Sequence, residues 1–328
     1  MVREEDRLRI DETLGFFSQR RLIVIGDIIV DEYNTGEALG LSAETPTIVA
    51  RHVGLRRSLG GAALMVRNVI ALGGNAVFVS IHGDDVYRSD IERFEHAHLV
   101  KRMAVIPGRQ TTVKSRYWVD GYKLLQWDRL DHSPLSEPSL DDLLSDIRRN
   151  LTDCDTIIVS DYRHGLISPS FAAALVGVAN QADKPIYIDS QVSQRSANHR
   201  WYTGATLFCV NEREARDIYP EFDPADLPNT LAAIKAILNA QSIVFKRGAD
   251  GCCALLGDAY VTAPAAKVQA IDTTGAGDAF FAALSLSPVP LTAECLGFAN
   301  LWAGISTTIR GPEPPDVAQL CAFVEGEG

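Results

Sequence analysis

Short aliphatic and β-branched runs alternate along the chain with longer stretches of helical character. Several of the runs are continuously apolar, which is typical of strands covered by helices on both faces. They lie at 22–29, 76–81, 156–160, 186–189, 206–210 and 242–246. Helices are predicted at 61–72, 140–151, 169–181, 212–219, 227–239, 277–285 and 292–308. This alternation predicts an α/β domain with a mostly parallel central sheet between two helical layers.

Two stretches break this rhythm and predict a second, smaller sheet. Residues 46–53 and 111–129 have the alternating character of antiparallel strands, with a turn at Asp120-Gly121. We expect the strands of this sheet to lie within about 36–55 and 109–131. An ordinary hairpin at the edge of the main sheet is the alternative. Residues 1–20 are expected to form an N-terminal extension, and 21–328 one domain.

Composition limits the partners of the chain. Its 31 basic and 42 acidic residues give a net charge of −11, which argues against nucleic acid as a partner. The first 19 residues lack an apolar core and no apolar stretch reaches membrane-spanning length, so we expect a cytoplasmic protein without a signal peptide. The six cysteines show no Cys-x-x-Cys spacing, which predicts buried thiols and no zinc site.

A glycine-rich turn between two carboxylates, Asp272-Thr-Thr-Gly-Ala-Gly-Asp278, precedes an apolar helical stretch. Such a turn directs the amides of Gly275, Ala276 and Gly277 into one concavity, and the helix adds the positive end of its dipole. The concavity suits a phosphate, and Asp278 is placed to take a proton from an attacking hydroxyl. A capped helix start is the simpler alternative. The sequence has no Gly-x-x-x-x-Gly-Lys element, so a P-loop kinase is not expected.

Polar residues follow the predicted strands where ligands bind in open α/β sheets, beyond the carboxyl ends. Each of them alone could be a helix cap or a loop residue. Together, their excess of carboxylates predicts recognition of sugar hydroxyls and of Mg²⁺. The residues are Asp27, Asp31, Asp161, Asp189, Asn211, Glu214, Lys246 and Arg247.

The run Asp272–Phe281 resembles the C-terminal signature of the ribokinase-like (PfkB) family of sugar and nucleoside kinases. The resemblance covers about residues 20–325 and implies a three-layer α/β/α fold with a β-lid over the substrate. It further implies ATP and Mg²⁺ as cofactors, K⁺ as an additional one in some members, and a sugar or sugar phosphate as substrate. A homodimer formed through the lid is expected, because the lid is often the dimer interface in this family.

The same resemblance implies a role for each matching residue. Asp278 would be the catalytic base, and Gly275, Ala276 and Gly277 would form an anion hole. Asn211 and Glu214 would hold Mg²⁺, partly through water. The substrate side would comprise Asp27, Asp31, Gly60, Gly61, Leu64, Asp161 and Asp189. The nucleotide side would comprise Asn211, Lys246, Arg247, Gly248, Gly251 and Asn300. A monovalent cation would lie near Asp272 and Thr274, for which structural capping is the alternative.

Within the family, the chain is most similar to heptose-7-phosphate kinases, through Ile25–Asp31, Ser42–Pro46, Gly60–Ala63, Val159–Tyr162 and Tyr202–Thr206. It departs from them at three places. Leu64 stands where an Asn usually binds sugar hydroxyls, Asp189-Ser-Gln191 replaces Asp-Pro-Lys, and Tyr162-Arg-His-Gly165 carries a different charge arrangement. Heptose 7-phosphate is therefore the leading acceptor, with another sugar or a nucleoside as the alternative. A non-catalytic sugar or nucleotide sensor is the second alternative.

Many of those relatives carry a fused nucleotidyltransferase. This sequence has no His-x-Gly-His element, so we expect it to contain the kinase part only.

Overall fold

The structure is a computed structural model that describes residues 4–192 and 196–326, with side chains from residue 8 onward. Residues 1–3 of the expected N-terminal extension, and residues 193–195 and 327–328 of the expected domain, lie outside this description. The extension contains a helix at residues 4–17.

The bounds of the elements follow chain order. The strands are β1 (Arg21–Gly26), β2 (Ile28–Leu41), β3 (Ile48–Gly61), β4 (Asn75–Gly83), β5 (Leu99–Ile106), β6 (Val113–Val119), β7 (Tyr122–Arg129), β8 (Thr156–Asp161), β9 (Ile186–Ser190), β10 (Leu207–Asn211), β11 (Ser242–Lys246), β12 (Cys252–Leu256) and β13 (Ala259–Ala263). The α-helices are α1 (Glu4–Phe17), α2 (Ala62–Ala71), α3 (Arg88–Glu92), α4 (Glu137–Asn150), α5 (Pro169–Gln181), α6 (Glu212–Ile218), α7 (Leu227–Leu238), α8 (Ala276–Leu286), α9 (Ala293–Ser306) and α10 (Val317–Val324). Short 3-10 helices lie at His199–Tyr202 and Gly248–Asp250.

The main sheet has nine strands in the order β13-β12-β11-β10-β9-β8-β1-β4-β5. All neighbours are parallel except for the two pairs that β12 forms with β11 and β13. In the centre, Ile23 of β1 lies opposite Val77 of β4 and Ile157 of β8. This pairing confirms the predicted mostly parallel sheet. Its strands are apolar on both faces, as expected of strands that helices cover on both sides.

Each face of this sheet is covered by its own apolar core. One core joins it to α4, α5 and α7 through residues such as Ile147, Phe171 and Leu231. The other joins it to α2, α8 and α9, where Phe281 and Trp302 are fully buried. The predicted three-layer α/β/α arrangement is therefore confirmed.

The second sheet has four strands in the order β3-β2-β6-β7. Its β2–β3 and β6–β7 pairs are antiparallel, as predicted, whereas β2 and β6 run parallel. The turn predicted between β6 and β7 is present, with Asp120 at φ 49°. Many of its outer side chains are exposed and apolar: Leu41, Ile48, Val53, Leu55, Tyr122, Leu125 and Trp127.

The first predicted strand, 22–29, is wrong in one respect, because it is two strands that belong to different sheets. Asp27 lies between β1 and β2, and its carbonyl oxygen accepts a hydrogen bond from the Ala62 amide at 2.9 Å. The chain therefore leaves the main sheet at Asp27 and enters the small sheet at Ile28.

Five of the six cysteines are buried and all six are free thiols. The prediction of buried thiols is thus confirmed for all but Cys321, which is half-buried. Among the described helices, none combines the length and the apolar character needed to cross a bilayer.

Candidate active site

A cleft of about 1720 Å³ lies beyond the carboxyl ends of β8 to β11. The start of α8, the loop from Pro264 to Ala270 and part of α9 line its sides. Ser160, Asp189, Asn211 and Lys246, which end or nearly end their strands, line its floor. The cleft is therefore at the position where open parallel sheets bind ligands.

The glycine-rich turn leads into α8 and supplies its first residues. Gly275 precedes the helix in the left-handed region, at φ 86°. A Cβ on Gly275 would lie 2.6 Å from Cδ2 of Leu64, so no other residue fits there without displacing that side chain. The Ala276 amide donates to the Thr273 carbonyl at 3.3 Å. The next amides, of Gly277 and Asp278, lie where a helix offers no internal acceptor, which leaves them for an anion.

Asp278 lines the same cleft and is held by one hydrogen bond. The Tyr162 hydroxyl donates to its Oδ1 at 2.6 Å. Burial raises the pKa of Asp278 to about 7, while the Tyr162 hydrogen bond and Lys246 act in the opposite direction. A carboxyl group with a pKa near neutrality is suited to accept a proton from a hydroxyl at physiological pH.

Lys246 and Asp189 form an ion pair on the floor of the cleft. Lys246 Nζ lies 2.8 Å from Asp189 Oδ2, and both side chains are largely buried. Burial opposes the ammonium charge, but the neighbouring acidic groups, Asp189 foremost and Glu214 among them, together outweigh this effect and raise the pKa of Lys246 above its ordinary value. Lys246 is therefore a permanent cation within the cleft.

Asn211 and Glu214 form a capping box at the start of α6. The Asn211 side chain accepts from the Glu214 amide at 3.0 Å, and the Glu214 carboxylate accepts from the Asn211 amide and side chain at 2.8 Å each. Burial raises the pKa of Glu214 to about 7. The two residues thus fix each other at the edge of the cleft.

Of the seven predicted substrate residues, Asp189 lines the cleft and the other six do not; two of these six, Asp27 and Asp161, are buried and hydrogen-bonded within the protein. Asp27 accepts hydrogen bonds of 3.1–3.2 Å from the amides of Tyr162, His164 and Leu166, and burial together with Asp161 raises its pKa to about 7. Asp161 accepts from Tyr202, Asn198 and Ser190. These contacts hold the loop after β8 in place, and that loop presents Tyr162 to Asp278.

Asp31 and the Gly60-Gly61 pair lie together on adjacent strands of the small sheet. Asp31 pairs with Arg116 of β6, and a Cβ on Gly60 would overlap the Asp31 carboxylate. Gly61, at φ 61°, leads directly into α2. On the same strand as Arg116, half-buried Lys114 lies over the Tyr162 ring with Nζ 5.8 Å from its centroid.

The predicted nucleotide residues divide into two groups. Lys246, Gly248, Gly251, Asn211 and Asn300 line the cleft. Asn300 donates to the carbonyls of Ala263 and Pro264 at 3.0 Å, so it fixes the wall of the cleft. Arg247 instead lines a neighbouring cavity of about 530 Å³, which shares Asn211, Lys246 and Asp250 with the cleft.

Asp272 and Thr274 lie in the turn before α8. The Asp272 carboxylate accepts from the amides of Thr274 and Gly311 at 2.9 and 3.0 Å. Although burial acts in the opposite direction, these hydrogen bonds lower the pKa of Asp272 below its ordinary value. Their geometry is that of the structural alternative, in which Asp272 caps the turn.

Three residues of this region were not predicted from the sequence as part of the site: Tyr162, Lys114 and Arg116. Tyr162 directly follows Asp161 at a strand end, and the rule that selected Asp161 would have found it. Lys114 and Arg116 come from the small sheet, and no pattern in the sequence brings that sheet over the cleft.

The donor set fits a nucleotide with a weakly held Mg²⁺. No three His, Cys, Asp or Glu side chains of the described ranges are placed to hold a metal by themselves. Mg²⁺ in phosphoryl-transfer sites needs only one or two carboxylates plus phosphate oxygens and water. Glu214 lines the cleft and can supply one such carboxylate.

The fold defines the class of protein. Ribokinase from Arabidopsis thaliana, in complex with ribose and ATP, superposes with a TM-score of 0.71 at 19% identity and covers 93% of this chain and 99% of its own. Phosphofructokinase-2 from Escherichia coli, in complex with potassium, superposes with a TM-score of 0.75 at 15% identity, covering 94% and 99%. The chain thus has the ribokinase-like fold.

Sequence comparison places the chain more narrowly. Residues 19–317 match the pfkB family carbohydrate kinase pattern, and the chain belongs to this family of phosphotransferases. It is 32% identical to the bifunctional protein HldE of Caulobacter sp. (strain K31), over 97% of this chain and 66% of that protein. HldE of Rhodospirillum rubrum is 28% identical, over 96% and 64%. The chain spans about two thirds of the length of these relatives.

Proposed function

We propose that the protein transfers the γ-phosphate of ATP to a hydroxyl group of a sugar phosphate, with heptose 7-phosphate as the leading acceptor. The observation that carries this proposal is Asp278, whose carboxylate borders the same cleft as the free amides at the start of α8. A sensor would have no need of a base with a pKa of about 7 at this point.

In the proposed mechanism, the acceptor hydroxyl gives its proton to Asp278 as its oxygen attacks the γ-phosphorus. The bond from phosphorus to the bridging oxygen breaks, and ADP leaves. The amides of Gly277 and Asp278 stabilise the charge on the phosphoryl oxygens during transfer. Mg²⁺, when bound near Glu214, would neutralise nucleotide phosphate charge. The small sheet over Tyr162 excludes water that would otherwise hydrolyse ATP.

One cation of the small sheet, Lys114, supports a phosphorylated acceptor. Arg116 is committed to Asp31, but Lys114 forms no ion pair with any carboxylate of the described ranges. A half-buried lysine without a counter-charge favours a bound anion. Because Lys114 lies on the side of Tyr162 that faces the small sheet, this anion would belong to the acceptor. The HldE relatives and the resemblance to heptose-7-phosphate kinases support heptose 7-phosphate in particular.

The test is an acceptor screen. Purified protein with Mg-ATP is offered heptose 7-phosphate, hexose and pentose phosphates, the matching free sugars, and nucleosides, and ADP release is measured. The proposal predicts the highest kcat/KM with a sugar phosphate. Nucleotide binding without ADP release from any acceptor would favour the sensor alternative instead.

Lys114→Met separates phosphate recognition from catalysis. It should raise KM for the sugar phosphate by about 10-fold or more, while KM for the free sugar stays unchanged. Lys123→Met, which removes an exposed lysine from β7 of the same sheet, is the matched control and should change neither value. An equal loss for both acceptors with Lys114→Met would contradict the assignment.

We further propose that the small sheet pairs with its counterpart in a second copy of the chain. Its exposed apolar residues, including Leu41, Tyr122 and Trp127, form the kind of patch that marks a protein interface. Trp127→Asp should shift the mass measured by sedimentation from dimer to monomer. A wild-type protein that sediments as a monomer at high concentration would refute this proposal.

A further inference from the structure

We infer that Lys246 is a catalytic residue that contacts the phosphoryl group in transit, and that Asp189 serves as its positioning residue. The inference rests on the proposed kinase function and deepens it. It changes two interpretations made from the sequence, in which Lys246 belonged to a nucleotide loop and Asp189 bound the substrate.

The position of the ammonium group is set by two neighbouring elements. Lys246 is the last residue of β11 and pairs in register with Asn211 of β10, so its side chain starts at the floor of the cleft. Its Nζ lies 3.9 Å from the point that a Cβ on Gly277 would occupy. The ammonium is therefore beside the first turn of α8, next to the amides that are free to bind an anion.

A cation at this place adds to a positive potential that favours a bound anion. The start of a helix carries a partial positive charge, which repels an ammonium group. Asp189 stabilises the ammonium group in spite of this repulsion, through its contact at 2.8 Å. An ammonium group has three donors, and Asp189 is its single hydrogen-bond acceptor among the described residues. Two donors remain beside the amides at the start of α8.

A phosphoryl group satisfies both sets of donors at once. In transfer it carries negative charge on its equatorial oxygens, and charge grows on the bridging oxygen that leaves with ADP. Lys246 keeps its three protons throughout, and the hydroxyl proton goes to Asp278. The cation thus acts by charge alone, as Arg and Lys do in other phosphoryl-transfer sites.

Asp189 is the counter-ion that orients this cation. Its contact with Lys246 is nearly buried, and the carboxylate lies on β9, two strands away from β11. If Asp189 bound the substrate directly, its loss would raise the KM of the acceptor. As a positioning residue, it should instead affect kcat through Lys246.

The experiment compares Lys246→Met with wild-type protein at the alkaline plateau of the pH profile, where Asp278 is fully deprotonated in both. We expect kcat to fall about 10²-fold or more, with acceptor KM within about threefold of wild type. Lys235→Met is the matched control, because Lys235 also pairs with an aspartate (Asp258) but lies far from the cleft on α7. It should retain full activity.

A binding measurement gives a second readout that does not depend on turnover. By calorimetry, Lys246→Met should weaken a non-hydrolysable ATP analogue about 10-fold or more and leave ADP affinity nearly unchanged, because ADP lacks the phosphate in question. If wild-type protein phosphorylates no acceptor, the proposed function fails, yet this nucleotide comparison still tests Lys246.

The double variant Asp189→Asn, Lys246→Met guards against a folding artefact, since Lys246→Met alone leaves a buried carboxylate without its partner. The double variant should melt near the wild-type temperature and lose the same activity. Activity of Lys246→Met or of the folded double variant within threefold of wild type, or an equal loss of ADP and ATP-analogue affinity, would overturn the inference.

Discussion

Removal of the Tyr162 hydroxyl group in Tyr162→Phe should move the pH dependence of catalysis to higher pH. The hydroxyl donates to Asp278 Oδ1 at 2.6 Å and stabilises its charged form. A base works when it is deprotonated, so activity is lost as the pH falls through the pKa of Asp278, which is about 7. Without the hydrogen bond the carboxylate is less stable, and this pKa rises further.

The size of the shift follows from the energy of the lost hydrogen bond. A hydrogen bond to a charged group contributes about 1.5–3 kcal/mol, and about 1.36 kcal/mol corresponds to one pKa unit. Burial keeps water from replacing the hydroxyl fully, so a shift of roughly one to two units is expected. The acid limb of kcat/KM should then move from near pH 7 to roughly pH 8–9.

The assay is kcat/KM by ADP release from pH 5.5 to 10, for wild type and Tyr162→Phe. Near pH 6.5 the variant should be about 10-fold or more slower, and the difference should shrink toward the alkaline plateau. Tyr219→Phe is the control, because Tyr219 also donates to a carboxylate, that of Glu221, on the exposed surface. A Tyr162→Phe variant with an unshifted acid limb would refute the idea that this bond tunes the base.

Further predictions concern stability and selectivity. Asp278→Asn should stabilise the fold at pH 8. The pKa of Asp278 in the folded protein, about 7, exceeds its ordinary value of 3.8. The ionised carboxyl group therefore destabilises the folded protein above pH 4, and most fully above pH 7. The gain in the free energy of unfolding, on the order of 2–4 kcal/mol at pH 8, should vanish near pH 4 when it is measured by thermal melts. A gain that does not depend on pH would show that ionisation of Asp278 is not its cause. Leu64→Asn, which puts an amide against Gly275, should lower stability by about 1–3 kcal/mol and change the kcat/KM ratio between acceptors at least 10-fold. An unchanged ratio would remove Leu64 from acceptor selection.

Most of the scaffold is predictable because local and long-range preferences agree. Runs such as 156–160 and 242–246 are apolar enough to be buried on both faces, and both are central strands. The turn before Asp278 is predictable for a similar reason, since only glycine at 275 tolerates both its positive φ and the contact with Leu64.

The rest depends on contacts between distant segments. The sequence predicts Asp27 and Asp161 as ligand-binding residues because both follow a strand. The position of a residue at a strand end does not show whether its side chain points toward the cleft or toward buried amides. The Asp189–Lys246 pair joins residues 57 positions apart on separate strands. The pair forms because β9 and β11 lie two strands apart in the sheet. The positions of the two residues in the sequence do not specify this strand order.

The most direct measurement is transfer of label from [γ-³²P]ATP to a sugar phosphate by wild type and Asp278→Asn, with ATP affinity measured in parallel. The amide cannot accept the hydroxyl proton, so labelled product should form at least about 10²-fold more slowly in the variant, with nucleotide affinity within about threefold of wild type. An Asp278→Asn protein that forms labelled product at the wild-type rate would contradict phosphoryl transfer with Asp278 as the base.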